Sequence, residues 1–173
     1  DDLILVNRDI GAHGATIFTA REGMDINSNL KSDCNSLYPQ VKALIDSGVK
    51  ITALRDATRG GVSAVLNEWA KQSNICIEVE EEQIPISDEV KGICEMLGFE
   101  ATNLANEGTF LLAIKKEDAA RAIEVLHKFE EAKNASIIGK VTAQYPQKVI
   151  LNSSWGTKRF LDTPSGELLP RIC

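Results

Sequence analysis

Two histidines, two tryptophans, two tyrosines and four cysteines are all that 173 residues hold of the side chains behind most metal, redox and stacking sites. No Cys-x-x-Cys pair occurs and the histidines lie far from the cysteines in sequence, so no zinc pattern is visible. Cys34, Cys76, Cys94 and Cys173 are irregularly spaced in a chain long enough not to need disulfides. They are expected to be reduced thiols of a cytoplasmic protein, three of them buried. A net charge of −6 denies the chain the broad basic face that nucleic acid demands, although a local basic pocket for a small phosphate ligand is compatible with it. No run is apolar enough to span a membrane and no signal peptide is visible, so neither partner class is expected. The chain opens "DDLILVNRDIGAHG" without methionine and with strand-like residues at once, as a segment of a longer protein would, terminal processing being the alternative.

What is present fits a packed domain: 43% hydrophobic residues and five prolines. Leu3 to Asn7 reads as a strand, glycines 11 and 14 bracket His13 in a turn, and Ala15 to Thr19 reads as a second strand. A polar loop follows from Asn27 to Asn35. Val41, Leu44, Ile45 and Gly48 outline a helix and its stop, and Val49 to Arg55 a strand. Val62, Val65, Leu66, Trp69 and Ala70 form one apolar helical stripe, whereas Ile75, Ile77 and Val79 alternate as a half-buried strand. Ser87 caps a helix that ends at Gly98. A strand from Thr109 to Ile114, a helix from Glu117 to Ala132 and strands near 136–142, 147–151 and 157–161 complete the pattern. Interleaved strands and helices predict an α/β sandwich. From Asp162 the chain has turn residues, two prolines and no periodicity, and it reads as a tail.

Four places could carry chemistry. Asp56-Ala57-Thr58-Arg59-Gly60-Gly61 joins a strand to a helix; helix amides and Arg59 could hold an anion there, or the glycines could simply make a tight connection. It is not a Walker A loop. Asn106-Glu107-Gly108 places a carboxylate before a strand, where it could serve as a base or merely be solvated. His13 sits between glycines, as a ligand-facing or an ordinary hydrogen-bonded residue. Cys173 is the last residue, and its own carboxylate disfavours the thiolate. The residues alone leave its purpose open.

Taken in order, "REGM" at 21–24, "SDC" at 32–34, "RDATRGG" at 55–61, "LNE" at 66–68, "ANEGT" at 105–109, "IG" at 138–139 and "LPRIC" at 169–173 resemble the C-terminal half of the HypE family. Those proteins are carbamoyl dehydratases of nickel–iron hydrogenase maturation. The glycine loop resembles that of the wider superfamily of aminoimidazole ribonucleotide synthetase, selenophosphate synthetase and thiamine monophosphate kinase. The terminal Pro-Arg-Ile-Cys is the discriminating motif.

The resemblance implies a mixed, largely antiparallel sheet with helices on one face. It implies a synthetase-like domain over residues 1–161, a mobile tail over 162–173, and an ATP-binding N-terminal domain absent from this chain. Cys173 would accept a carbamoyl group from a HypF-type carbamoyltransferase. ATP with magnesium would drive its dehydration to a thiocyanate, and cyanide would pass to iron on a HypC–HypD complex. Glu107 would be the base. Asp56, Thr58, Arg59, Gly60, Gly61 and Asn106 would frame the nucleotide or the tail, Pro170 and Arg171 would dock the tail, and His13 is a weaker site candidate. Metal ligands are not expected in this chain. The missing domain would carry most ATP and magnesium ligands and the homodimer interface, leaving this fragment inactive or nearly so by itself. Three residues depart from the family pattern: Ala12 for an aspartate, Ala57 for a proline, and Trp155 for a glycine. The alternatives are another ATP-dependent enzyme of the superfamily or a non-catalytic module that presents its tail to partners.

Overall fold

Alternation along the first strand decides how the molecule is layered. Ile4 and Val6 belong to one apolar cluster and Leu5 to another, and all three are fully buried. The computed structural model describes residues 1–24 and 29–164. Strands β1 (Leu3–Val6), β2 (Ile51–Asp56), β3 (Cys76–Glu80), β4 (Phe110–Ile114), β5 (Ser136–Thr142), β6 (Lys148–Asn152) and β7 (Lys158–Phe160) form one sheet in the order β2-β4-β1-β5-β3-β6-β7. The β3–β6 pair is parallel and every other pairing is antiparallel. The expected mixed, largely antiparallel sheet is what the chain forms.

The helices are α1 (Ala12–Arg21), α2 (Tyr38–Asp46), α3 (Gly61–Gln72), α4 (Asp88–Leu97) and α5 (Ala119–Leu126). Val62, Val65 and Leu66 of α3, Val90 and Ile93 of α4, and Ala15 of α1 pack with Ile4, Val6, Leu111 and Ile77. Leu44 of α2 and Ala119, Ala122, Val125 and Leu126 of α5 pack with Leu5, Phe110, Leu112 and Ile114. The sheet therefore carries helices on both faces, where the sequence reading expected one. The cause is written in β4: all five residues of Phe-Leu-Leu-Ala-Ile are buried, and a strand apolar at successive positions needs cover on each side.

Two element assignments change. Residues 15–19 are helical rather than extended, so His13 lies in the first turn of α1 and not in a free turn. The run Thr16-Ile17-Phe18-Thr19, β-branched and aromatic, reads as strand by propensity. Here the Thr16 and Thr19 hydroxyls donate back to the carbonyls of Ala12 and Ala15 at 2.8 and 3.0 Å, and Phe18 meets Phe99 edge-on at 4.8 Å. Tertiary packing outweighs a preference worth only tenths of a kcal/mol per residue, about 0.7 at most. Helix α5 stops at Leu126 instead of reaching Ala132. Phe129 turns extended and packs into the second core, and a short 3₁₀ turn, Glu130–Ala132, follows it. Cys76 and Cys94 are buried as expected but Cys34 is exposed, because its neighbour Asp33 takes the interior position. Burial pushes the Cys94 thiol pKa up, with Glu95 adding to the effect.

Candidate active site

Three loops meet at the ends of β1, β2 and β4. The sharpest joint is Asn106, which is fully buried. Its Oδ1 accepts from Gly11 N–H at 2.7 Å, and its Nδ2 donates to the carbonyls of Ala57 and Leu104 at 2.9 and 3.0 Å. Its backbone N–H also donates to Ala57 O at 3.1 Å. Asn106 thus ties the loop before α1, the loop before α3 and its own loop into one frame. Its amide is used by the backbone, so it positions the site rather than presenting a free group.

Asp33 is the second joint, and the sequence reading assigned it no role. Only 2% exposed, its carboxylate accepts from Glu107 N–H and Gly108 N–H, each at 3.0 Å, and from the Thr109 hydroxyl at 2.8 Å. A Cβ on Gly108 would lie 1.9 Å from Asp33 O, so only glycine permits this approach. The triplet "SDC" was visible in sequence, but an aspartate inside a polar stretch reads as solvated until the fold closes over it. Asn7 completes the support, accepting from Phe110 N–H at 2.8 Å and donating to Gln40 Oε1 at 2.9 Å.

Between these joints Glu107 is held by its main chain while the residue itself is exposed. Its carboxylate makes no hydrogen bond or ion pair with another described residue. His13 is 8% exposed; its Nδ1 and the Ser32 hydroxyl share a hydrogen bond of 2.8 Å, and the same hydroxyl accepts from Cys34 N–H. His13 Nε2 is buried and has no partner among the described residues. It is the one ring atom here with bonding capacity to spare.

The Asp56–Gly61 loop is bound to the same frame through Ala57, whose N–H donates to Thr109 O at 2.9 Å. A proline at position 57 would lack that donor. Asp56 is half-exposed, 3.7 Å from Arg55 Nε, and Arg55 bridges Glu68 of α3 at 2.8 Å. Gly60, at φ 72°, is the N-cap of α3. A Cβ on Gly61 would meet the carbonyl oxygens of Leu104 and Thr102 at 2.5 and 2.6 Å. Internal packing thus requires glycine at this position. The Thr58 carbonyl accepts from Gly61 N–H at 3.1 Å, and Arg59 is exposed.

Asp56–Gly61, Asn106, Glu107 and His13 therefore share one end of the sheet. Pro170, Arg171 and Cys173 lie outside the described residues. Among the described residues no group of three His, Cys, Asp or Glu side chains is placed to hold a metal ion. No described helix is long and apolar enough to cross a membrane.

Residues 1–152 match the family model described as AIR synthase related protein, C-terminal domain. The chain belongs to that family. Over 173 residues it is 43% identical to the carbamoyl dehydratase HypE of Escherichia coli strain K12, covering 99% of this chain and 50% of that protein. It is also 43% identical to a putative hydrogenase expression/formation protein of Methanocaldococcus jannaschii, over 99% of this chain and 51% of that one. A crystal structure of the hydrogenase maturation protein HypE superposes with a TM-score of 0.95 at 35% identity, over 99% of this chain and 56% of that one. HypE in complex with ATP gives 0.94 at 34% identity, over 99% and 52%; a HypE–HypF complex gives 0.89 at 36%, over 94% and 53%. The chain spans about half the length of the curated relatives it matches.

Proposed function

We propose that this chain is the C-terminal part of an ATP-dependent carbamoyl dehydratase that makes the cyanide ligand during nickel–iron hydrogenase maturation. One observation carries the reading most: Glu107, exposed, is fixed by Asp33 on the same frame as the Gly60 loop, and the last described residue, Pro164, lies beside Gly60. The C-terminal segment that ends in Cys173 thus starts at the candidate site. Near-complete coverage by HypE relatives supports the assignment of chemistry. Residues 1–161 form the domain and 162–173 the carrier arm in this reading.

A HypF-type carbamoyltransferase loads Cys173 with a carbamoyl group. ATP phosphorylates the carbamoyl oxygen as one N–H proton leaves, giving an S-linked imidate phosphate. Glu107 takes the remaining N–H proton, the C–O bond breaks with phosphate as leaving group, and the S–C≡N product stays on Cys173. The oxygen departs as phosphate and two protons are lost, so the net change is dehydration. Thr58 and Arg59 hold phosphate oxygens, His13 Nε2 supplies a hydrogen bond at the rim, and Pro170 and Arg171 seat the arm. Cyanide then passes to an electron-rich iron on a HypC–HypD complex, which supplies the electron pair as the S–C bond breaks and Cys173 leaves as thiolate. Most of the ATP and magnesium ligands and the dimer contact would belong to the N-terminal half that the relatives carry.

Mass spectrometry of the C-terminal peptide checks this in the full-length protein supplied with the carbamoyltransferase, carbamoyl phosphate and ATP. A carbamoyl adduct on Cys173 that converts to a cyano adduct is expected. Glu107→Gln should keep the first and slow the second by about a hundredfold or more. No adduct on Cys173 of the wild type refutes the reading.

A further inference from the structure

We propose that Asn67 is a positioning residue that sets where the C-terminal arm leaves the domain. The proposal rests on the arm-delivery reading above for its purpose, and on independent geometry for its substance. Asn67 lies in the second turn of α3, is 6% exposed, and does not take part in the Glu107 frame. Its Nδ2 donates to Leu161 O at 2.8 Å and to Ser63 O at 2.9 Å. Both amide protons are therefore used, one within α3 and one across 94 residues of sequence.

The anchored residue is fixed from its other side as well. Leu161 is 2% exposed, packs in the first core, and its N–H donates to Val149 O at 2.9 Å. Three residues later Pro164 Cγ stands 3.8 Å from where a Cβ on Gly60 would be. The lengths agree. Seven helical positions separate Asn67 from Gly60, about 10 Å along α3 at 1.5 Å per residue. Residues 161–164 cover roughly 10 Å when extended. Pro164 favours an extended Thr163 before it. The chain thus runs back along α3 from the Asn67 clamp to the N-terminus of that helix, where the glycine loop lies. Nine further residues reach Cys173, an outer limit of about 30 Å from Gly60. Without the clamp the anchored stretch 161–164 would no longer end at the loop, and the effective concentration of the Cys173 thiol at the site would fall.

The sequence triplet "LNE" gains a meaning from this. Leu66 is core, Asn67 the clamp, and Glu68 the partner of Arg55 beside Asp56.

The test uses the full-length protein in two forms. With the arm intact, Asn67→Leu should leave carbamoylation of Cys173 unchanged and slow its conversion to the cyano adduct about tenfold, the scale of one lost hydrogen bond. With the chain ended after Pro164 and a carbamoylated peptide of residues 165–173 supplied in solution, the same substitution should leave turnover unchanged. An unchanged rate in the intact protein overturns the proposal. So does an equal fall in both forms, which would make Asn67 a support of the site itself.

Asn67→Ser, whose shorter hydroxyl cannot reach both carbonyls, replaces the leucine variant if that fails to fold. Spin labels at exposed positions 73 and 163, in a background lacking Cys34 and Cys173, give a readout free of activity. A narrow distance distribution that broadens in Asn67→Leu is expected, and an unaltered one overturns the clamp. If the wild type forms no cyano adduct, the dehydratase reading fails, while the label distances still decide the clamp.

Discussion

Asp33 works by its two oxygens rather than by its charge alone: three donors from consecutive residues 107, 108 and 109 converge on one carboxylate. Asn in its place would turn an amide N–H₂ toward donors, leaving at least one buried donor unsatisfied. Asp33→Asn should cost about 2–4 kcal/mol in denaturant unfolding and slow conversion of the Cys173 adduct, because Glu107 loses its fixed backbone. An unfolding curve matching the wild type would show that the clamp is dispensable. At this scale sequence pattern and structure part company. Glu107 and the Gly60-Gly61 pair stood out because their residue types suggest a role. Asp33, Asn7 and Asn67 did not, since a short polar side chain gives no sign of its tertiary partner, which lies 74, 103 and 94 residues away.

Strands and most helices were legible because periodicity is local. The α3 stripe and the Ser87-capped, Gly98-stopped α4 appear where the pattern puts them, Ser87 Oγ accepting from Val90 N–H. Helix α1 was not legible, because it is held by Phe99 and Asn106, neither of them visible in a ten-residue window. One link between elements yields a pH prediction. Lys115, just past β4, donates to Asp2 Oδ1 at 2.6 Å beside β1. Burial pushes the Asp2 carboxyl up, but hydrogen bonds from Lys115 and Thr52 with the Lys115 charge outweigh it, and its pKa ends below the usual 3.8. A depressed carboxylate adds stability above its unfolded pKa and loses it as pH falls through the folded value. Asp2→Asn should therefore be less stable than the parent at pH 6, with the gap closing below about pH 3.8 in paired denaturation series. A gap that stays constant down to pH 2.5 would mean the carboxylate charge contributes nothing.

The two cores share β1 and β4, so neither face can melt without exposing the back of the other. Leu112→Ala, cut into the face that α2 and α5 cover, should cost about 2–5 kcal/mol and shift the fluorescence transition of Trp69, which packs against the opposite face, by the same amount as circular dichroism. Separate transitions for the two probes would divide the domain in two. Sequence pattern suggested a sheet and its helices but not this sharing, because the alternation of a doubly buried strand disappears into a continuous apolar run. The joint at Asn106 has a consequence of a different kind. All four of its bonds go to main-chain atoms of Gly11, Ala57 and Leu104, so it is blind to the side chains the loops carry. The joint is therefore indifferent to whether position 57 carries a methyl group or a larger side chain. A frame gripped only by backbone fixes where the loops run and leaves the side chains that line them exchangeable without loss of the joint.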